Sequence, residues 1–150
     1  MNQNKTDRRQ FLAGTVGAAV ALGVTQGVQS ADAKPKQQFY ELRIYRTPSD
    51  DKQAIVSNYL EQALLPALKR IGIKQVGVFK QIEVKDDHSL YVLIPFNSLE
   101  QFSSLNDVLE TDQHYHQAAA EYFSFPKESP AFTRIESRLM KAFKGMPQLK

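Results

Sequence analysis

Phe39, Tyr40, Glu41, Leu42, Arg43, Ile44, Tyr45 and Arg46 form the stretch on which the fold turns. Tyr40, Leu42 and Ile44 alternate with Glu41, Arg43 and Tyr45, which is the period-two pattern of a half-buried β-strand. Pro48, Ser49, Asp50 and Asp51 follow with turn and N-cap chemistry. Apolar residues then recur at helical spacing through Ile55, Tyr59, Leu60, Ala63, Leu64, Ala67, Leu68 and Ile71. Pro66 lies inside this helix and is expected to kink or divide it near Gln62, and Gly72 is placed to stop it. Val76 to Val84 reads as a second strand, and Asp86, Asp87, His88 and Ser89 as a polar turn into a third, Leu90 to Phe96. Ser98 with Gln101 matches a capping box that opens a helix through Phe102, Leu105, Val108 and Leu109. Asp112 restarts it through Tyr115, Ala118, Ala119, Tyr122 and Phe123. Beyond a loop bounded by Pro126 and Pro130, Phe132 to Met140 alternates again, with Ile135 and Leu139 opposed to Arg134, Glu136 and Arg138.

Strand, helix, strand, strand, helix, strand is the order of an α+β, ferredoxin-like βαββαβ sandwich: a four-stranded antiparallel sheet with two helices on one face. The other face is then open, and a second sheet is expected to cover it. The first strand is expected to put Glu41, Arg43 and Tyr45 on that open face. The first and fourth strands lie antiparallel in this fold. Pairing Arg43 with Glu136 sets Glu41 opposite Arg138 and Tyr45 opposite Arg134, whereas slipping by two residues either way opposes like charges. Exposed cross-strand pairs contribute only about 0.2 to 1 kcal/mol each, enough to select a register. Glu41, Arg43, Tyr45, Arg134, Glu136 and Arg138 would then line a small polar cavity, because ionisable groups facing a barrel interior must be paired or wetted. A salt-bridged dimer interface without a ligand is the equal alternative.

Upstream, Arg8, Arg9, Phe11 and Leu12 precede a mildly apolar run, Ala13 to Val28, broken by four glycines. This layout resembles a twin-arginine signal, which sends folded proteins across the bacterial inner membrane. The run is too short and too interrupted for a stable membrane anchor. Cleavage is expected after Ala33, with Ser30 as the competing position. The organisation is therefore a signal peptide over 1–33, a linker over 34–38, a domain over 39–143 and a tail over 144–150. Export by the twin-arginine machinery predicts a periplasmic or secreted protein.

A 150-residue chain with 42% hydrophobic and 23% charged residues is sized for one globular domain, and without cysteine it must hold itself by packing. Its formal charge of +3 is too small and scattered to argue for nucleic acid. The histidines are weak candidates for chemistry. His114 and His116 are two apart, so on a helix they point away from each other and cannot share a metal. His88 beside Asp86 and Asp87 is sufficiently explained by turn chemistry. No phosphate loop, nucleophile elbow or spaced carboxylate pair is present, so no catalytic constellation is identifiable, and no metal or cofactor is expected. The Phe and Tyr residues fall mostly at core spacing.

Three stretches carry a resemblance: Tyr40 to Tyr45; Leu64 to Leu68 with Gly72 and Val76 to Phe79; and Arg134 to Ser137 followed by Ala142, Phe143, Gly145, Met146 and Pro147. Together they resemble a NIPSNAP-family domain, over essentially all of residues 38–150. The resemblance implies a dimeric α/β barrel, in which two ferredoxin-like sheets pack open face to open face, and it transfers no catalytic residues. Relatives of this type often continue into a second similar domain. This chain ends at Lys150, so it either pairs with a copy of itself or is a shortened form of a two-domain protein. The expected function is a dimerising module for a small ligand or an interaction partner. The alternative is a small barrel enzyme, such as a monooxygenase acting on an aromatic or haem-like substrate, on analogy of fold alone.

Overall fold

The structure, a computed structural model, describes residues 36–82 and 86–149. Arg8, Arg9, Phe11, Leu12 and the cleavage site at Ala33 lie outside the described residues. Strand β1 (Phe39–Arg46) leads into helix α1 (Asp50–Tyr59), where the Ser49 hydroxyl accepts from the Lys52 amide as N-cap. The helix widens into a π-helical turn over Leu60–Leu64 and resumes as α2 (Leu65–Arg70). Pro66 is the cause: it has no N–H for the carbonyl of Gln62 and its ring crowds that carbonyl, so the chain adds a residue to the turn. Gly72 ends the helix at φ +87°, the left-handed conformation that suits glycine.

Strands β2 (Gly77–Phe79) and β3 (Leu90–Phe96) form the hairpin. The expected strand Val76–Val84 is cut short: the ladder with β3 stops at Phe79 opposite Tyr91 and Lys80 to Ile82 are not strand, while Glu83 and Val84 lie outside the described residues. The turn back holds Asp86 at φ +70°, while the Asp87 carboxylate accepts from the Ser89 amide at 2.9 Å. The second helical layer runs through α3 (Leu99–Ser103), α4 (Leu105–Thr111), α5 (Gln113–Ala118) and α6 (Ala120–Phe123). Ser98 caps its start and Asp112 restarts it at α5, each accepting a backbone amide. Strand β4 (Arg134–Lys141) completes an antiparallel sheet of order β2-β3-β1-β4, which is the ferredoxin-like arrangement.

The core lies between this sheet and the helices. Leu90, Val92, Ile94 and Phe96 of β3 and Tyr45 of β1 pack against Val56, Tyr59, Leu60, Leu64, Leu68, Leu105 and Leu109. Arg43 pairs with Val92 and Glu41 with Ile94, so Glu41, Arg43 and Tyr45 share the helix-covered face. The expectation that they face outward is corrected: Tyr40, Leu42, Ile44 and Arg46 form the open face of β1. The register with β4 is corrected as well, because Arg43 pairs with Ser137, Glu41 with Leu139 and Tyr45 with Ile135. The shift from the expected pairing is a single residue, and it sends Arg134, Glu136 and Arg138 to the open face. There Glu136 accepts from Arg46 at 3.1 Å and from Arg138 at 3.0 Å, a diagonal bridge that offsets the like-charge pair Arg46 and Arg134.

Candidate functional site

A cavity of about 670 Å³ opens between the sheet and the second helical layer. Glu41, Arg43 and Tyr45 of β1 and Ser137 of β4 supply its polar floor. Tyr59, Phe102, Tyr122, Phe125 and Phe132 supply aromatic walls, and Ser103, Asn106 and Lys127 are exposed members of its lining. Its volume falls in the range of small-molecule sites, as does its lining of apolar walls with a few convergent polar groups.

Glu41 is 2% exposed, so its carboxylate must be fully hydrogen-bonded to be tolerated. It accepts from Arg43 Nε at 3.1 Å and Arg43 Nη2 at 2.9 Å, the bidentate fork that guanidinium geometry favours. Ser137 Oγ donates a third bond at 2.7 Å. Glu41 thus takes two of the five N–H donors of Arg43, whose side chain lines the cavity. Burial pulls the Arg43 guanidinium down, but Tyr45 and the bonds to Glu41 outweigh it, and it stays firmly charged. Burial pushes the Tyr45 phenol up, with Arg43 partly opposing, so Tyr45 is a neutral hydroxyl.

The walls are a continuous aromatic cluster. Tyr59 stacks on Tyr122 with ring centroids 4.0 Å apart, Tyr122 lies near-parallel to Phe132 at 6.1 Å, and Tyr45 meets Tyr59 edge-on at 6.5 Å. The hydroxyls of Tyr59 and Tyr115 share a buried hydrogen bond of 2.8 Å. Desolvation raises the phenols of Tyr59 and Tyr122. Tyr59, Tyr115 and Tyr122 sit at core spacing in the sequence, while Tyr45 falls in the polar set of its strand. Nothing in that spacing separates a ring that fills the core from one that borders a cavity.

Three of the six expected lining residues, Glu41, Arg43 and Tyr45, therefore meet at one cavity inside a single chain. Arg134, Glu136 and Arg138 lie on the opposite side of the sheet and take no part in it. None of the three histidines borders the cavity. His88 Nδ1 bonds Asp50 at 2.8 Å, His116 Nε2 bonds the Glu110 carbonyl at 2.9 Å, and His114 is exposed. Among the described residues no group of three His, Cys, Asp or Glu side chains is gathered as for a metal, and no helix is long and apolar enough to cross a membrane.

No protein-family model matches the chain, and no curated protein matches its sequence. Solved structures do match its fold. A NIPSNAP family protein from Agrobacterium tumefaciens aligns at 15% identity with a TM-score of 0.58, over 75% of this chain and 92% of its own. An uncharacterized NIPSNAP-like domain protein from Burkholderia xenovorans aligns at 13% identity and a TM-score of 0.59, over 77% and 94%. A dimeric ferredoxin-like protein from an uncultured marine organism aligns at 9% identity and a TM-score of 0.50, over 72% and 90%. At such identities the likeness is one of fold: this chain shares the ferredoxin-like α+β architecture of NIPSNAP family proteins.

Proposed function

We propose that this chain is an exported, NIPSNAP-like module that pairs with a second copy through its open sheet face and binds a small, largely apolar ligand between sheet and helices. The cavity carries this reading. A buried charged pair beneath aromatic walls, its carboxylate fully bonded and its guanidinium with donors to spare, is costly to build for packing alone, and it supplies the fixed polar contact by which such sites orient a ligand. Export rests on Arg8, Arg9, Phe11 and Leu12, and pairing on the open face, where Phe79 and Met140 are exposed beside half-buried Leu42, Tyr91 and Leu93. The dimeric state given for the marine neighbour agrees with pairing.

Calorimetric titration of the purified protein with 2-naphthol tests the binding role. One site per chain is expected, closed by Ser103→Trp, which fills the cavity from an exposed wall position without touching the core. No saturable binding by 2-naphthol, 2-acetonaphthone or 2-naphthoate, or binding indifferent to Ser103→Trp, rejects the role.

A further inference from the structure

The charge balance of the floor restricts the ligand more than the shape of the walls does. Glu41 and Arg43 form a pair of zero net charge, with side chains 3% and 16% exposed. A ligand carboxylate placed against Arg43 would leave the floor with one uncompensated negative charge in a poorly hydrated space, and such burial is expensive. Lys127 also lines the cavity, but it is exposed on the loop after α6, where its charge stays solvated. A ligand ammonium fares no better, since the Glu41 carboxylate already accepts three bonds. What the floor can take is a neutral acceptor. Guanidinium donors not used by Glu41 are held by its rigid fork, and an uncharged carbonyl oxygen can take one without disturbing the charge balance.

The walls specify the rest of the molecule. Near-parallel Tyr59, Tyr122 and Phe132, with Phe102 and Phe125, offer flat faces and edges suited to a flat π-system. We infer that the cavity selects a planar aromatic or conjugated ketone, uncharged at its buried end, whose carbonyl oxygen accepts a hydrogen bond from Arg43. This rests on the reading of the cavity as a ligand site.

The test is a matched pair of probes, 2-acetonaphthone and 2-naphthoate, which share the ring system and differ in the charge of the acceptor. Titrated calorimetrically at neutral pH, the ketone is expected to bind at least about tenfold more tightly than the carboxylate. Glu41→Gln, which keeps the shape and one acceptor while leaving Arg43 uncompensated, is expected to reverse the order. Naphthoate binding as tightly as the ketone to the unaltered protein overturns the inference. So does a folded Glu41→Gln protein that keeps the original preference. If Glu41→Gln does not fold, the preference of the unaltered protein decides alone. Failure of 2-naphthol and of both probes to bind removes the ligand site itself, an outcome distinct from binding with the wrong preference.

Discussion

Glu41 shows how a single residue fixes the site. Its carboxylate is buried and accepts from Arg43 and Ser137, so neither charge can be removed alone without stranding the other. Arg43→Met should therefore destabilise the domain by about 3 to 5 kcal/mol, whereas Ser137→Ala, which removes one neutral donor, should cost about 1 to 3 kcal/mol; denaturant unfolding measures both. The buried phenols give a second expectation. The folded state holds the Tyr59 and Tyr122 phenols above their unfolded value of 10.0, so the stabilisation is complete below that value and is lost as the pH rises beyond it. Ultraviolet titration should show these tyrosines ionising only as the protein unfolds, and Tyr59→Phe should soften the alkaline loss. The sequence sets Glu41, Arg43 and Tyr45 together on one face of a half-buried strand. It does not show that they turn toward the helices, because β1 has apolar residues in both alternating sets and each set contains buried members, Tyr40 and Ile44 in one and Tyr45 in the other.

At the scale of the element, local chemistry was legible wherever one residue dictates one geometry. Pro66 announces the broken helix, Gly72 its end, and Ser49, Ser98 and Asp112 the starts. Substituting Gly72 by Ala places a Cβ in open space, so its cost is purely that of the left-handed backbone, about 1 to 2 kcal/mol. Ser49→Ala should cost about 1 kcal/mol through the lost cap. Thermal or denaturant unfolding checks both values. Pairing between distant strands was less legible. Charge matching compares registers two residues apart, and both alternatives it rejects keep the same faces together. The true register differs by one residue, so it exchanges the faces, and its ion pairs run diagonally from Arg46 to Glu136 instead of straight across. The weak energy of exposed pairs cannot overrule the burial of a strand face. The alternation predicts a longer β2 because it continues past Phe79, where Lys80 to Ile82 have no strand partner.

For the whole molecule, the element order was enough to identify the architecture, since a βαββαβ chain has few ways to cover one sheet. The cavity was not legible, because it depends on where α6 and the loop to β4 stand above the sheet. Two surface carboxylates tie distant parts together: Asp112, held low by Arg70 of α2, and Glu136, held low by Arg46 and Arg138. Their contribution is full above the ordinary values of 3.8 and 4.5 and is lost as the pH falls through the lowered ones. Asp112→Asn and Glu136→Gln should each flatten the acid side of the stability profile, modestly, as exposed pairs do. Replacing Arg8 and Arg9 together by Lys should leave the protein in the cytoplasm, which cell fractionation reports. On the open face, Leu93→Glu should halve the mass seen by light scattering if two sheets meet there. The most direct test of the site is a crystal structure of the protein grown with 2-acetonaphthone. The ketone is expected between the sheet and α3 to α6, its oxygen within hydrogen-bond distance of the Arg43 guanidinium; a ketone seated on the open face, with the space above Glu41 and Arg43 left to solvent, would contradict the account.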